Sequence, residues 1–381
     1  MAESMFDPGI VSWLASRDGT GAFVPHNAEG WHRFAHAAAR IGLAGLMLQR
    51  AGALGVEFPP VTFRFLKCQA GSVAARNIGL MAELRRLTAA LKRAGVDVML
   101  LKGAALQLTI YDRPDLRPMS DLDVLVRLEQ VDRAMAALEG ANCRRGFELI
   151  RPDFFPEYYY EVEYLTDAPA PARIDLHARP LRPLRYACTL DEAAFWNDAV
   201  AADGADARVP AYSTMLLHLA AHAAFHDCDR LIWLYDIKRW VERYRDRIDW
   251  SRAVCDAERW RLTAAVHAAM SRAMAVFGAF GAEAFVEELA ACGSSWRDRV
   301  VLAQAPRDAS TPVRHVLINW LTTPGMKRST GYVLAHVLPG PAHLAALYPY
   351  RHAGWTVCAH VCRVARALRR IAGVSVGHRF A

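Results

Sequence analysis

The stretch from Leu100 to Val126, LLKGAALQLTIYDRPDLRPMSDLDVLV, constrains this chain more than any other. Val96 to Leu101 is a short, mostly apolar run of the kind that forms a strand buried on both faces. It delivers Lys102 and Gly103 at a turn, and AALQLTIY then reads as one or two helical turns whose first amides point back toward it, a natural anion site. The turn-rich loop Asp112 to Pro118 carries Arg113 and Arg117, and Ser120 leads into a second strand. Side chains two apart on a strand share a face, so Asp121 and Asp123 project together while Leu122, Val124 and Val126 face the packing side. Two carboxylates held that way make a poor surface and a good clamp for a divalent metal ion.

The flanks differ in character. Trp31 to Ala51 has helical spacing, Phe58-Pro59-Pro60 breaks the pattern, and a longer helix runs to about Ala94, with Gly95 as its cap. After the aspartates, Leu128 to Gly140 reads as helix, and Phe147 to Ile150, Tyr158 to Leu165 and Ala172 to Leu176 read as strands, the last carrying Asp175. Past Pro210 nearly everything is helical, including Ser213 to His226, Leu231 to Tyr244 and Trp250 to Phe280. The expected fold class is α+β: a small mixed-sheet core over residues 96–210, N-terminal helices over 1–95, and a large helical region with a basic tail over 211–381.

Composition sets the bounds. With 53% apolar residues in 381, the chain sustains a real core, which excludes a disordered class. Its eight cysteines are scattered, the pattern of reduced thiols in a cytoplasmic protein. The first residues, MAESMFDPGI, lack the basic start and apolar run of a signal peptide, and Pro339-Gly340-Pro341 interrupts the longest late uncharged stretch, so no transmembrane segment is expected. The net charge of +7 is local: from Ala309 to Ala381 there are nine Lys and Arg and no Asp or Glu.

Lys102-Gly103, the Ser120-Asp121-Leu122-Asp123 strand and the later Ile174-Asp175-Leu176-His177 strand together resemble the DNA polymerase beta-like nucleotidyltransferase superfamily. LLKGAAL, RPMSDLDVLV and RIDLH resemble more closely the bacterial nucleotidyltransferase-like family with LKG and SDLDLLV segments, and the likeness continues in HLAAHAAFHDCDRLIWLYDIKRWVE, covering most of the chain. The resemblance implies that Asp121 and Asp123 bind a pair of Mg2+ ions, with Mn2+ as the substitute. It also implies that Asp175 binds one ion and helps deprotonate an attacking hydroxyl. Lys102, Gly103, Arg113, Arg117 and Ser120 then become the nucleotide-binding set. One departure stands out: the superfamily's Gly-Ser or Gly-Gly pair is Gly103-Ala104 here, so the turn lacks a serine hydroxyl.

Other residues leave alternatives open. His218, His222 and His226 fall at i, i+4 and i+8, a spacing that permits metal binding but lies on a mostly packed helix. Asp227, Asp229 and Asp236 suit acceptor binding or pairing with Arg230, Lys238 or Arg239, and Tyr158-Tyr159-Tyr160 suit base or sugar stacking or rim packing. Between Trp355 and Ile371, Val357, Val361, Val364, Leu368 and Ile371 follow helical spacing, with Arg363, Arg366, Arg369 and Arg370 on the remaining arc. That pattern fits a helix docked on the body or one meeting anionic membrane or RNA.

The leading expectation is a metal-dependent nucleotidyltransferase that moves a nucleoside monophosphate from a nucleoside triphosphate to a hydroxyl acceptor and releases pyrophosphate. The competing one, motivated by Gly103-Ala104, is an inactive fold kept as a binding or scaffold module at an anionic surface or a biosynthetic complex.

Overall fold

In the computed structural model, which describes residues 5–16, 23–147, 149–151, 154–168, 171–304, 312–347 and 355–371, four helices precede the first strand. α1 (Pro8–Ala15) is capped by Asp7, whose carboxylate accepts from the Gly9 and Ile10 amides. α2 (Ala28–Arg40) and α3 (Ala44–Leu54) replace the single helix expected from Trp31 to Ala51, and α4 (Pro60–Arg93) runs for 34 residues. The break falls at Gly42, where φ is +74° and a Cβ would lie 2.9 Å from the Pro118 ring. The corner is where backbone passes against the loop that precedes the aspartate strand. Helical periodicity carries no trace of such an approach.

Seven strands form one mixed sheet: β1 (Val98–Leu100), β2 (Leu122–Val126), β3 (Cys143–Arg145), β4 (Glu161–Thr166), β5 (Arg173–His177), β6 (Val200–Ala201) and β7 (Arg208–Val209). Their spatial order is β3-β4-β5-β2-β1-β7-β6. β2 runs antiparallel to β1 and parallel to β5, and its five residues are all buried. The register sets Asp123 beside Asp175, and Glu163 of β4 beside Asp175 on its other flank. Two strand expectations shift. No strand occupies the described part of 147–150, and β4 opens at Glu161 instead of Tyr158, because Tyr158 and Tyr159 stack with Phe154. Those rings join a small apolar cluster with Tyr332.

The second half is helical, as expected. Helices Tyr212–Phe225 and Leu231–Tyr244 lie against one another and against Thr263–Phe277, and further helices follow to Trp355–Ile371. One apolar cluster joins Trp13 of α1, the sheet, and Trp240 and Trp260 of the helical half. No helix among the described residues is long and apolar enough to cross a membrane. All eight cysteines are free.

Two buried polar clasps tie the halves together. Arg117 donates from Nε and Nη2 to the Asp236 carboxylate at 3.0 and 2.9 Å, and the Tyr111 hydroxyl donates to the same carboxylate at 2.7 Å. Asp236 therefore finds its partner in the loop before β2, and not in the helical neighbours Arg230, Lys238 or Arg239. Arg185 similarly reaches Asp298 at 2.7 Å and the Thr322 carbonyl at 3.0 Å. Breaking one member of a buried pair strands the other charge. Asp236→Ala is accordingly expected to cost about 3–5 kcal/mol, read as a lower urea midpoint with unchanged slope. The paired replacement Arg117→Met with Asp236→Leu should recover most of that loss.

Candidate active site

A cleft of about 1110 Å³ opens over the sheet where β2 and β5 begin. The α2–α3 corner and α4 form one wall, and the helices around His222–Trp233 form the other. Lys102, Gly103, Arg117, Ser120, Asp121, Asp123 and Asp175 all border it, whereas Arg113 does not.

The floor is crowded with carboxylates. Asp123 and Asp175 are nearly buried, and Asp121, Glu161 and Glu163 stand nearby. Lys102 Nζ donates to Asp123 Oδ1 at 2.6 Å, and His177 Nε2 lies 3.0 Å from the same oxygen. Arg173 bonds Asp121 and also reaches Asp175 at 3.3 Å. The Ser120 hydroxyl donates to Asp121 at 3.0 Å. Burial by itself would raise the Asp123 pKa, but Lys102 and His177 outweigh it and hold the carboxyl far below the usual range. Burial would likewise lower the Lys102 pKa, yet Asp123 and Glu161 raise it, so this ammonium stays charged. Asp175 goes the other way: burial, then Asp123 and Glu161, push it up to about 7.

Local structure explains how these groups are held. Lys102 opens the helix Lys102–Thr109 with φ +45°, a left-handed conformation unusual for a non-glycine residue. Gly103 is required for packing, since a Cβ there would lie 2.7 Å from Arg117 Nη1. Asn77 of α4 is fully buried, and its amide nitrogen donates to the Pro114 and Arg117 carbonyls, both at 2.7 Å. The Asn77 side-chain oxygen accepts from the Met119 amide at 3.2 Å, so one side chain grips the loop in three places just before Ser120 and Asp121.

The structure gives the two loop arginines other work. Arg113 pairs with Asp115, two residues along. Arg117 spends its guanidinium on Asp236, as above. Neither is presented to the cleft as a spare cation, because each has met a carboxylate of its own fold. Arg173, His177, Glu161 and Glu163 join the site without having been expected there. Their signal is periodic: Arg173, Asp175 and His177 alternate on one strand, as do Glu161 and Glu163 on its neighbour.

His218 is buried with both ring nitrogens unbonded, while His222 and His226 border the cleft beside Trp233. Burial lowers the pKa of all three, to about 3 for His218 and His226, so they are neutral imidazoles. Tyr160 borders the cleft and takes a hydrogen bond from Arg182 at 3.0 Å, and Arg182 also contacts the His226 ring.

The residues present fit a divalent cation of the Mg2+ kind. Their donors are hard carboxylate oxygens, and Asp123 and Glu161 add to the lift that burial gives Asp175. Among the described residues no three His, Cys, Asp or Glu side chains already converge as a ligand shell. Lys102 and Arg173 offset the charge instead.

Carboxylates on neighbouring strands of a small mixed sheet, beside a Lys-Gly turn and under a deep cleft, are the arrangement of a nucleotidyl-transfer enzyme. The model of a family described as uncharacterised nucleotidyltransferase matches residues 27–278, well over half of the chain, and the chain belongs to that family. A search among curated proteins finds no match.

The raised Asp175 pKa has a thermodynamic consequence. A carboxyl whose pKa rises from 3.8 to about 7 on folding binds its proton more tightly in the folded state. The metal-free protein therefore loses stability as pH rises between those two values, by at most about 1.4 kcal/mol for each pH unit crossed. Asp175→Asn, which cannot ionise, should raise the melting temperature in EDTA at pH 8, with the gain shrinking toward pH 5. A gain equal at both pH values would show that the charge is not its source.

Proposed function

We propose that the chain transfers a nucleoside monophosphate from a nucleoside triphosphate to a hydroxyl acceptor, with Mg2+, as two ions, or Mn2+ as the metal. The observation that carries this reading is the register of β2 and β5, which brings Asp123 and Asp175 side by side two residues from Asp121. Metal ions, when bound, supply charge neutralisation for the triphosphate and the leaving group. Asp121, Asp123 and Asp175 are the residues that would hold them. Asp175, with its pKa near 7, suits a second task. It accepts the acceptor's hydroxyl proton as the new bond to the α-phosphorus forms, while the bond to the bridging oxygen breaks and its electron pair leaves with pyrophosphate. Arg173 positions Asp121 and Asp175, and His177 positions Asp123. Lys102, Gly103 and Ser120 flank the phosphate side of the floor. Tyr160, Arg182, His222, His226 and Trp233, which border the same cleft, are the groups offered to the acceptor. Free thiols throughout suit a cytoplasmic enzyme.

The test is label transfer and pyrophosphate release with Mg2+ and a panel of triphosphates and acceptors. Asp121→Asn with Asp123→Asn should lower turnover on the order of a hundredfold or more. Equal turnover in wild type and variant would remove the assignment and favour the non-catalytic binding reading.

A second, surface role is favoured by one observation. The helices Pro312–Thr322 and Met326–Val337 bury Asn319, Thr322 and Ser329 yet expose Leu317, Trp320, Leu321, Leu334, Val337 and Leu338, each 44–54% accessible. The inward faces are mixed: Tyr332 and Ala335 pack in the apolar cluster with Phe154 and Leu184, and Asn319 bonds the Tyr332 hydroxyl. In a segment without a single acid, an apolar face of this size suits an anionic membrane surface better than RNA. Val357 and Val361 of the tail helix are exposed as well, while the side chains of Val364, Leu368, Ile371 and the arginines from Arg366 onward lie outside the described residues. Sedimentation with phosphatidylglycerol vesicles should carry the wild type down and leave Leu317→Glu with Leu321→Glu in the supernatant. Equal sedimentation of both would refute the lipid contact.

A further inference from the structure

We infer that Arg40 and Arg76, on the N-terminal wall of the cleft, form the cationic subsite that holds the polyphosphate of the nucleotide. This inference rests on the nucleotidyl-transfer reading and names the residues that carry its phosphate recognition.

The decisive point is which charges are already committed. A triphosphate approaching this floor meets a group of carboxylates and needs cations that those carboxylates have not taken. Lys102 is held by Asp123, and Arg173 by Asp121 and Asp175. Arg117 is locked to Asp236 in a buried pair, Arg182 gives its donors to Tyr160 and His226, and Arg230, which no carboxylate among the described residues holds, lies on the facing wall over the Trp233 ring at 4.8 Å. Arg40 and Arg76 border the same cleft, are exposed, and form no hydrogen bond or ion pair with the described residues. Guanidinium groups in that state present their full set of donors to phosphate oxygens, which Arg recognises through paired, charge-assisted hydrogen bonds.

Their placement is fixed by the same contacts that fix the metal-binding strand. Arg76 adjoins Asn77, whose side chain grips the loop at Pro114, Arg117 and Met119. Arg40 ends α2 two residues before Gly42, which packs on Pro118, and the following Gly45 has room only for its own hydrogens against Asp115. Both arginines thus stand in a set relation to Ser120 and Asp121. On α4, Gln69, Ser72 and Arg76 fall at i, i+3 and i+7 and border the cleft together with Val73.

The test uses the full chain and inorganic tripolyphosphate, titrated calorimetrically in EDTA, so the readout does not depend on turnover. Wild type should bind it. Arg40→Ala and Arg76→Ala should each weaken binding about tenfold or more, and the milder Arg40→Gln and Arg76→Gln should show the same direction. Arg33→Ala, on the same α2 but paired with Glu29 outside the cleft, should bind as wild type does. Unchanged melting temperatures will show that the variants fold. In turnover, the two arginine variants should raise KM for the nucleotide with kcat little changed. Equal tripolyphosphate affinity across wild type and both arginine variants, or no binding by wild type, would overturn the inference. Asp121→Asn with Asp123→Asn separates it from the parent reading: that variant should lose transfer and keep tripolyphosphate binding. Wild type that binds tripolyphosphate through these arginines but transfers nothing would sink the transfer reading alone.

Discussion

The buried pair of Arg117 and Asp236 is the constraint on which the rest of the site depends. It joins the loop before β2 to a helix 119 residues later, with both side chains almost wholly removed from water. Burial raises the Asp236 pKa, and Arg117 with Tyr111 offsets only part of that lift. Two charges in such a place are tolerated only when each satisfies the other, so the geometry is specific: bidentate from Arg117, with Tyr111 filling a remaining lone pair. Gly103 belongs to the same arrangement, because only a residue without a side chain lets the guanidinium pass. The loop cannot shift without exposing an unpaired charge, and the aspartates that follow it inherit that rigidity.

From the other side, α4 and the α2–α3 corner brace the same loop. Asn77 satisfies three backbone groups that would otherwise be stranded in the interior, and Gly42 and Gly45 allow helix backbone to close on Pro118 and Asp115. The N-terminal helices are thus structural members of the site. Family membership over residues 27–278 takes in these braces, the sheet and the helices of the facing wall together.

Legibility varied with how local each cause was. Asp121 and Asp123 were readable as a pair because side chains two apart on a strand share a face, and Asp175 entered through the resemblance carried by RIDLH. Arg173 and His177 obey the same rule beside Asp175, and only their chemistry, a cation and an imidazole instead of a third acid, kept them from notice. Arg113 and Arg117 were readable as cations near a turn but not as occupied ones. The partner of Arg113 is two residues away and that of Arg117 lies in another half of the chain. Arg40 and Arg76 carry no local signal, since a solvated helix face and a cleft wall look alike until the helix is docked. The buried polar side chain Asn319 of Pro312–Thr322 was equally hidden, because it answers to Tyr332 of the next helix.

By itself, the sequence determined the α+β division and the strand that carries Asp123, because propensity and side-chain period act within a few residues. Only the tertiary structure decided which charges are spent and which remain available. The energy of a buried or half-buried charge is set by what lies within a few ångströms of it, and those neighbours come from α2, α4, β5 and the helical half, far apart along the chain.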